Sequence, residues 1–315
     1  MTVRVYRWDD ASAPTLNASA GSLVALLKAV LVDGYAGKTA AGWTNPAYST
    51  NKAAFQNAGS GQCLVVDHPS TTINPTVYGV ESITSGFIET NRFPTTLQMA
   101  TAYWSISNTA DTTNRPWIIL ADNKRFYLWV GYNLTTAQAL SASTTAQMLW
   151  FAGDILSYKG GDAFPFMICS QLSTGAGGNP FGACQSGIGS TLATGHYMAR
   201  THLQSGTSVG VGKFSDYGLV STTSSGNATS YAYPDTVSGG MSLSKIRVFE
   251  SNIYGPRGLM PGMWFVNHSM PGNNGDTFTG SSGGQLAGKT FILLDASSSG
   301  SRVRFALETS DTWGY

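Results

Sequence analysis

The sequence predicts a mainly β fold, with antiparallel sheets arranged as a sandwich or barrel and one amphipathic helix near the N-terminus. Three observations carry this. Gly reaches 37 of 315 residues and aromatics 11%, a mix suited to extended segments joined by many turns. Short apolar runs bounded by Gly, Pro, Asn, Asp and Ser recur along the chain. Only one stretch carries strong helical spacing.

In chain order, Thr2 to Trp8 alternates apolar and polar residues, the pattern of a half-buried strand. In GSLVALLKAVLVDGY, Leu23, Leu26, Leu27, Val30 and Leu31 fall at i, i+3, i+4, i+7 and i+8, predicting a helix over 21–33 that lies on a sheet. Ser22 or Ser19 is expected to cap it and Gly34 to end it. A short second helix is expected around Asn51 to Asn57. Strands are then predicted at Gln62 to Asp67, Val77 to Ile83, Ala102 to Ser107, Pro116 to Ala121, Arg125 to Val130, Met148 to Tyr158 and Phe164 to Cys169. RPWIILADNKRFYLWV reads as a hairpin turning at Asp122-Asn123. Further strands are predicted at His196 to Leu203, Leu243 to Glu250, Met263 to Asn267, Thr290 to Asp295 and Val303 to Glu308. Gln171 to Gly195 and Gly218 to Gly240 are Gly/Ser-rich excursions. The organisation expected is a main β-rich domain over 1–250 and a C-terminal β segment over 251–315, which can belong to the same domain.

A net charge of +1 with 11% charged residues provides no basic field, so no nucleic-acid partner is expected. The apolar stretch Leu23 to Val32 is interrupted by Lys28 and is too short to span a membrane. MTVRVYRWDDASAP lacks the apolar core of a signal peptide, so a chain made without one is expected. Cys63, Cys169 and Cys184 lack metal or disulfide spacing and are expected to be buried thiols in a reducing compartment.

Gly283-x-x-x-x-Gly288-Lys289-Thr290 matches the phosphate-loop template, but the template needs a strand before it and a helix after it. HSMPGNNGDTFTGSS upstream is turn chemistry, and FILLD downstream reads as a buried strand. Lys289 is therefore expected to be a solvated charge at a strand end. Gly206 to Gly210 and Gly280 to Gly284 fit GxSxG without the strand-to-helix setting of a nucleophile elbow. His196 and His202 would share one face of a strand but lack the helical zinc spacing. Asp67, Glu81, Asp154 and Asp162 would make a glycosidase pair only if the fold brought two of them together. Trp43, Trp104, Trp117, Trp129, Trp150, Trp264 and Trp313 could form a sugar-stacking platform, although most lie in strand patterns where core packing is commoner. The reading is of no catalytic, cofactor-binding or metal-binding residues, and of a non-enzyme.

VRVYRWDDASAPTLNASAGSLVALLKAVLVDGYAGKTAAGWT followed by NKAAF, then RPWIILADNKRFYLWV, LAGKTF and LETSDTW, together resemble a group of tailed-bacteriophage virion proteins. The likeness spans nearly the whole chain. It implies a structural component of the tail, neck or baseplate of a virion, built into a symmetric multi-copy assembly with other phage virion proteins or as a homo-oligomer. Capsid decoration is the same class at another place; a carbohydrate-binding or depolymerising tail protein is the rival of another class. Partner contacts are expected in the two Gly/Ser-rich excursions and at Trp313 and Tyr315.

Overall fold

A computed structural model describes residues 2–97, 101–136, 147–171, 181, 195–200, 209–216, 240–250, 255–267, 271–280, 286–298, 301–310 and 312–314. The fold is mainly β, as expected, and its sheets are antiparallel. It opens with β1 (Arg4–Arg7) and α1 (Ser22–Lys28), which continues as a single π-helical turn, Ala29–Asp33. A five-stranded sheet follows in simple meander order: β2 (Thr44–Tyr48), β3 (Lys52–Gln56), β4 (Cys63–Asp67), β5 (Thr76–Ile83) and β6 (Glu89–Phe93). The remaining strands are β7 (Trp117–Ala121), β8 (Arg125–Val130), β9 (Met148–Asp154), β10 (Leu156–Ser157), β11 (Phe166–Gln171), β12 (Gly195–Arg200), β13 (Val209–Asp216), β14 (Leu243–Glu250), β15 (Gly255–Val266), β16 (Thr277–Thr279), β17 (Thr290–Ser298) and β18 (Ser301–Glu308). With β1 they form a 13-stranded sheet ordered β1-β7-β8-β9-β11-β12-β13-β14-β15-β18-β17-β16, with β10 paired to β15. This sheet crosses the boundary expected at residue 250, since β14 and β15 are hydrogen-bonded neighbours.

Strands β7, β8, β9 and β11 are buried along their whole length. An antiparallel strand usually wets one face and alternates accordingly; WIILA, RFYLWV and FMIC do not alternate because both faces are covered. One face carries Trp117, Ile119, Phe126, Leu128, Trp150 and Ile168, packed against α1 and the inner face of the five-stranded sheet (Phe55, Leu64, Val66). The other carries Ile118, Leu120, Tyr127, Trp129, Phe151 and Met167, packed against Ile246, Val248, Phe265, Ile292, Leu294 and Phe305. The long sheet therefore folds over so that its second half covers its first half. Trp129 Nε1 spans the two, donating to the Asp295 carbonyl at 3.0 Å.

The helix buries the stripe that its spacing predicts: Leu23, Leu26, Leu27, Val30 and Leu31 all lie in the core beside β3 and β4. Gly34 ends it, its N–H reaching the Ala29 carbonyl at 2.8 Å in the wide i to i+5 pattern. The start differs from expectation, because neither Ser19 nor Ser22 caps it. Gly21 occupies the cap position at φ 75°, with no side-chain cap. A Cβ there would collide with the Thr50 carbonyl, so close approach to the β2–β3 turn excludes a larger residue. Ser22 Oγ instead accepts from Asn17 N–H at 2.9 Å and ties down the entering loop.

Other expectations are corrected. Asn51 to Asn57 is not helical: Lys52–Gln56 is β3, with Ala53 and Phe55 facing the main core and Ala54 the outer one. Small alanines suit either state, and pairing with β2 and β4 decides it. Ala102 to Ser107 forms no strand; Tyr103 makes isolated bridges to Thr76 and Gln171, and Trp104 Nε1 donates to Cys169 O at 2.7 Å. Met148 to Tyr158 breaks after Asp154 into β9 and β10. β2, β6, β13, β16 and the first half of β15 lie outside every strand expected, because their Gly, Pro and polar residues hide the period.

Tyr6 and Tyr127 are buried and Tyr35 is partly buried, each with its hydroxyl bonded. Tyr6 donates to Thr39 O at 2.7 Å, Tyr35 to Asp10 Oδ2 at 2.8 Å and Tyr127 to Pro261 O at 2.8 Å. Burial pushes the Tyr6 phenol up to about 12, against the opposing charge of Arg4, and burial likewise raises Tyr35, Tyr78 and Tyr127. Their folded pKa values exceed the ordinary 10. The stability they contribute is therefore complete below pH 10 and lost as pH rises through the folded values. In a spectrophotometric titration at 295 nm, these phenolates are expected to appear together with the loss of the near-UV circular dichroism signal. A smooth titration near pH 10 in folded protein would contradict their burial.

Candidate functional site

The phosphate-loop match resolves into separate structural roles. Gly283 lies outside the described residues. Leu286–Gly288 form a turn, Lys289 N–H bonds to Leu286 O at 3.1 Å, and Thr290 opens a strand, as FILLD predicts. No helix N-terminus follows Thr290 to face a phosphate. Lys289 is not a free solvated charge: its Nζ pairs with Glu308 at 2.7 Å. Asp295 is fully buried and held by Arg304, with Nε to Oδ1 at 2.8 Å and Nη2 to Oδ2 at 3.2 Å. Burial raises its pKa, opposed by the Arg304 charge and by hydrogen bonding.

The other candidate groups are likewise committed to the frame or fall outside it. Of the first GxSxG match only Val209 and Gly210 are described, at the start of antiparallel β13; of the second, only Gly280. His196 lies in β12 opposite Ser170, and His202 lies outside the described residues. Asp154 accepts from Asn57 Nδ2 at 2.7 Å, Ser60 Oγ at 2.6 Å and Ser60 N–H at 2.9 Å, clamping the β3–β4 turn to the end of β9. Burial raises its pKa and these donors oppose the rise. Asp162 pairs with Arg257 at 2.7 Å. Burial would raise it, but Ser157 and the Arg257 charge hold it below the usual carboxylate range. Glu81 pairs with Arg200 at 3.0 Å, and Asp67 ends β4 opposite Lys52. Asp154, Asp162 and Glu81 thus serve separate contacts. Among the described residues no group of three or more His, Cys, Asp or Glu is placed to hold a metal ion, and no helix is long and apolar enough to cross a membrane. Cys63 and Cys169 are buried, and burial pushes the Cys63 thiol up to about 12; Cys184 lies outside the described residues.

All seven tryptophans considered for a sugar platform are buried. Five of their indole N–H groups donate to backbone carbonyls of distant segments: Trp43 to Asp122, Trp104 to Cys169, Trp117 to Pro14, Trp129 to Asp295 and Trp150 to Ser105. Trp313, expected at an interface, is 4% exposed. Its ring meets Tyr127 edge-on at 5.4 Å, and its Nε1 donates to Glu308 O at 2.7 Å. It packs onto its own fold, leaving little surface for a partner. Tyr315 and nearly all of 172–194 and 217–239 lie outside the described residues.

One recess stands out, at a fault in the large sheet. β15 pairs with β14 along one side, but Lys245 faces Trp264 while Arg247 faces Leu259, so Met260–Met263 bulge from the ladder. On its other side β15 pairs first with β10, at Gly258 and Leu259, and then with β18, from Met263 onward. The neighbour changes across the bulge, and a groove of about 370 Å³ opens there. Leu156, Leu259, Met260 and Met263 line it together with Lys245, Lys289 and Glu308. Bulges of this kind interrupt pairing and re-aim side chains. The Pro261-Gly262 pair is the sequence mark of this fault, but the predicted strand started only at Met263.

Gly262, at φ 63°, makes the bulge possible. A Cβ there would fall inside the Trp313 ring. Gly262→Ala is expected to cost about 1–3 kcal/mol through overpacking and an unfavourable φ, seen as a lower unfolding midpoint. An unchanged midpoint would mean that Trp313 does not pack on the bulge.

No model of a known protein family matches the chain, and no curated protein matches it at a significant level.

Proposed function

We propose that the chain is a structural component of a tailed-phage virion, at the tail, neck or baseplate, assembling in symmetric copies through loops and β edges with other virion proteins. Capsid decoration is the same reading at another place. The observation that supports it is where the residues of the phage resemblance lie. Residues far apart within and between the quoted words touch across the fold. Tyr6 of the first word bonds Thr39 of GYAGKTAAGWT at 2.7 Å, and Trp43 of that word bonds Asp122 of the hairpin at 2.9 Å. Trp117 of the hairpin returns to Pro14 at 3.0 Å, and Lys289 of LAGKTF pairs with Glu308 of LETSDTW at 2.7 Å. The quoted words thus form an interlocking frame, as expected of a building block whose product is its shape. The ends of the two sheets, β2 and β16 among them, offer edges that neighbours can cover. Burial of the seven tryptophans weighs against the sugar-stacking rival.

The test is quantitative mass spectrometry of purified phage particles encoding the chain. Several copies per particle are expected, in a fixed ratio to the major tail or capsid protein. Its absence from infectious particles would overturn the proposal.

A further inference from the structure

Open sheets end in edge strands, and an unguarded edge is a template for pairing with another chain. The two sheets end in β1, β16, β2 and β6, and three of these ends are guarded. At β1 the Val5 carbonyl accepts from Lys38 Nζ at 3.2 Å, and Asp10 occupies both main-chain groups of Arg7: its Oδ2 accepts from Arg7 N–H at 2.8 Å, and its N–H donates to the Arg7 carbonyl at 3.2 Å. β2 carries Pro46, which brings no donor, beside a shift in register. At β6, Asn91 leaves the extended conformation at φ 50°, and its carbonyl accepts from Arg200 Nη2. β16 carries no such guard. Leu293 N–H donates to the Asp276 carbonyl and Gly280 N–H to the Lys289 carbonyl, both at 2.8 Å, so Asp276, Phe278 and Gly280 turn their main-chain groups toward β17. In an antiparallel ladder the residues between them turn theirs the other way. The N–H and C=O of Thr277 and of Thr279 therefore point outward, and among the described residues nothing bonds them. Both threonines are exposed, and Thr-Phe-Thr is uncharged and made of strand-forming residues.

We propose that β16 pairs with β16 of a second copy of this chain, antiparallel about a two-fold axis at Phe278. That register sets Thr277 opposite the partner's Thr279 and Thr279 opposite the partner's Thr277, so every outward donor meets an outward acceptor. Phe278, half-buried and stacked on Phe291 at 5.1 Å, then meets the partner's Phe278 at the close, non-hydrogen-bonded position, which carries the aromatic row across the axis. Charge agrees with this occupant. Asp276, Phe278 and Gly280 share one face of the strand, and Asp276 is exposed. Asp276 falls opposite the partner's Gly280; with no side chain there, it faces the partner's Lys289 two strand spacings away, about 10 Å between backbones. An extended lysine bridges that gap, and the axis makes the contact twice. A strand of unrelated sequence would satisfy the threonines but not both flanking charges. The pairing supplies one specific contact for the symmetric assembly proposed above, and rests on that reading for its use in a particle.

Sedimentation equilibrium of the purified full chain over a wide range of concentration is expected to show reversible dimerisation. Thr277→Lys combined with Thr279→Lys sets like charges opposite one another twice and should weaken it by about tenfold or more, whereas Thr277→Lys combined with Thr279→Asp sets opposite charges there and should restore it. Unchanged unfolding midpoints establish that these variants are folded; should the double-lysine variant not fold, Thr277→Pro, which removes one outward N–H and no bond to β17, serves instead. A chain that stays monomeric at every concentration would overturn the proposal and leave the edge to a strand of another protein, without bearing on whether purified particles contain the chain. A dimer that the folded double-lysine variant keeps, or that the lysine and aspartate variant loses, would overturn it as well.

Discussion

Leu27→Asp is expected to lower the unfolding midpoint by on the order of 10 °C or more, or to prevent folding altogether. Leu27 has no exposed surface and sits where α1 meets β3, β4 and the first half of the large sheet. Removing its side chain from a packed site costs about 2–5 kcal/mol through lost burial and a residual cavity. Aspartate adds a carboxylate with no partner in an apolar cluster, a further penalty of several kcal/mol that its protonation only partly relieves. For a chain of this size each kcal/mol moves the midpoint by about 2–4 °C. Leu27→Met, which preserves volume, should cost less than about 1.5 kcal/mol. Thermal scans of the two variants separate the effect of charge and cavity from mere change of shape. If Leu27→Asp melts like the wild type, the helix does not bury this face.

Arg304→Met should be nearly as severe, for an electrostatic reason. Asp295 is fully buried beneath Arg304, and Arg304 Nη2 also donates to Gly272 O at 2.9 Å. Breaking a buried pair by deleting one partner costs about 3–5 kcal/mol, because the other charge stays behind. Burial already raises the Asp295 pKa and the Arg304 charge opposes the rise; without Arg304 it climbs further. A carboxyl whose folded pKa exceeds its unfolded one is better tolerated protonated. The deficit of Arg304→Met is therefore largest at neutral pH and shrinks as pH falls through the raised folded value. Urea unfolding of variant and wild type at pH 7.5 and pH 5 measures this, and adding Asp295→Asn should recover part of the loss at neutral pH. A deficit independent of pH, with no recovery in the double variant, would place the effect in packing instead.

How much of this was legible beforehand follows from the range of each signal. The helix face is readable from its apolar spacing, and the hairpin about Asp122 and the strands around Val65, Tyr127, Val248 and Leu293 from short apolar runs bounded by turn residues, because both signals are local. The hairpin turn was readable for the same reason: Asp122 Oδ1 accepts from Lys124 N–H at 2.7 Å and Arg125 N–H at 2.9 Å, bonds made within four residues. β3 reads as a helix in the sequence because alanines fit both states. β15 was read only from Met263, because GPRGLMPG resembles a loop until β10 and β14 pair with it. The candidate groove was illegible as a site. Lys245, Trp264, Leu259 and Glu308 meet only through a register fault between strands, and no spacing along the chain encodes it.

The sequence by itself determined the class of the fold, because alternation, helical spacing and turn residues act over a few positions. It also determined that Thr290 is not followed by the helix that a phosphate loop requires, since the strand signal of FILLD is local; the strand β16 before the match escaped it. Only the tertiary structure decided that the long sheet folds over and buries both faces of β7, β8, β9 and β11. Only it decided that Trp313 closes onto Gly262 and Tyr127, and that Lys289 and Asp295 are held by Glu308 and Arg304. Those outcomes depend on which distant surfaces meet, a choice made by the total apolar area and the pairing of charges across the whole chain, which no short stretch of residues carries.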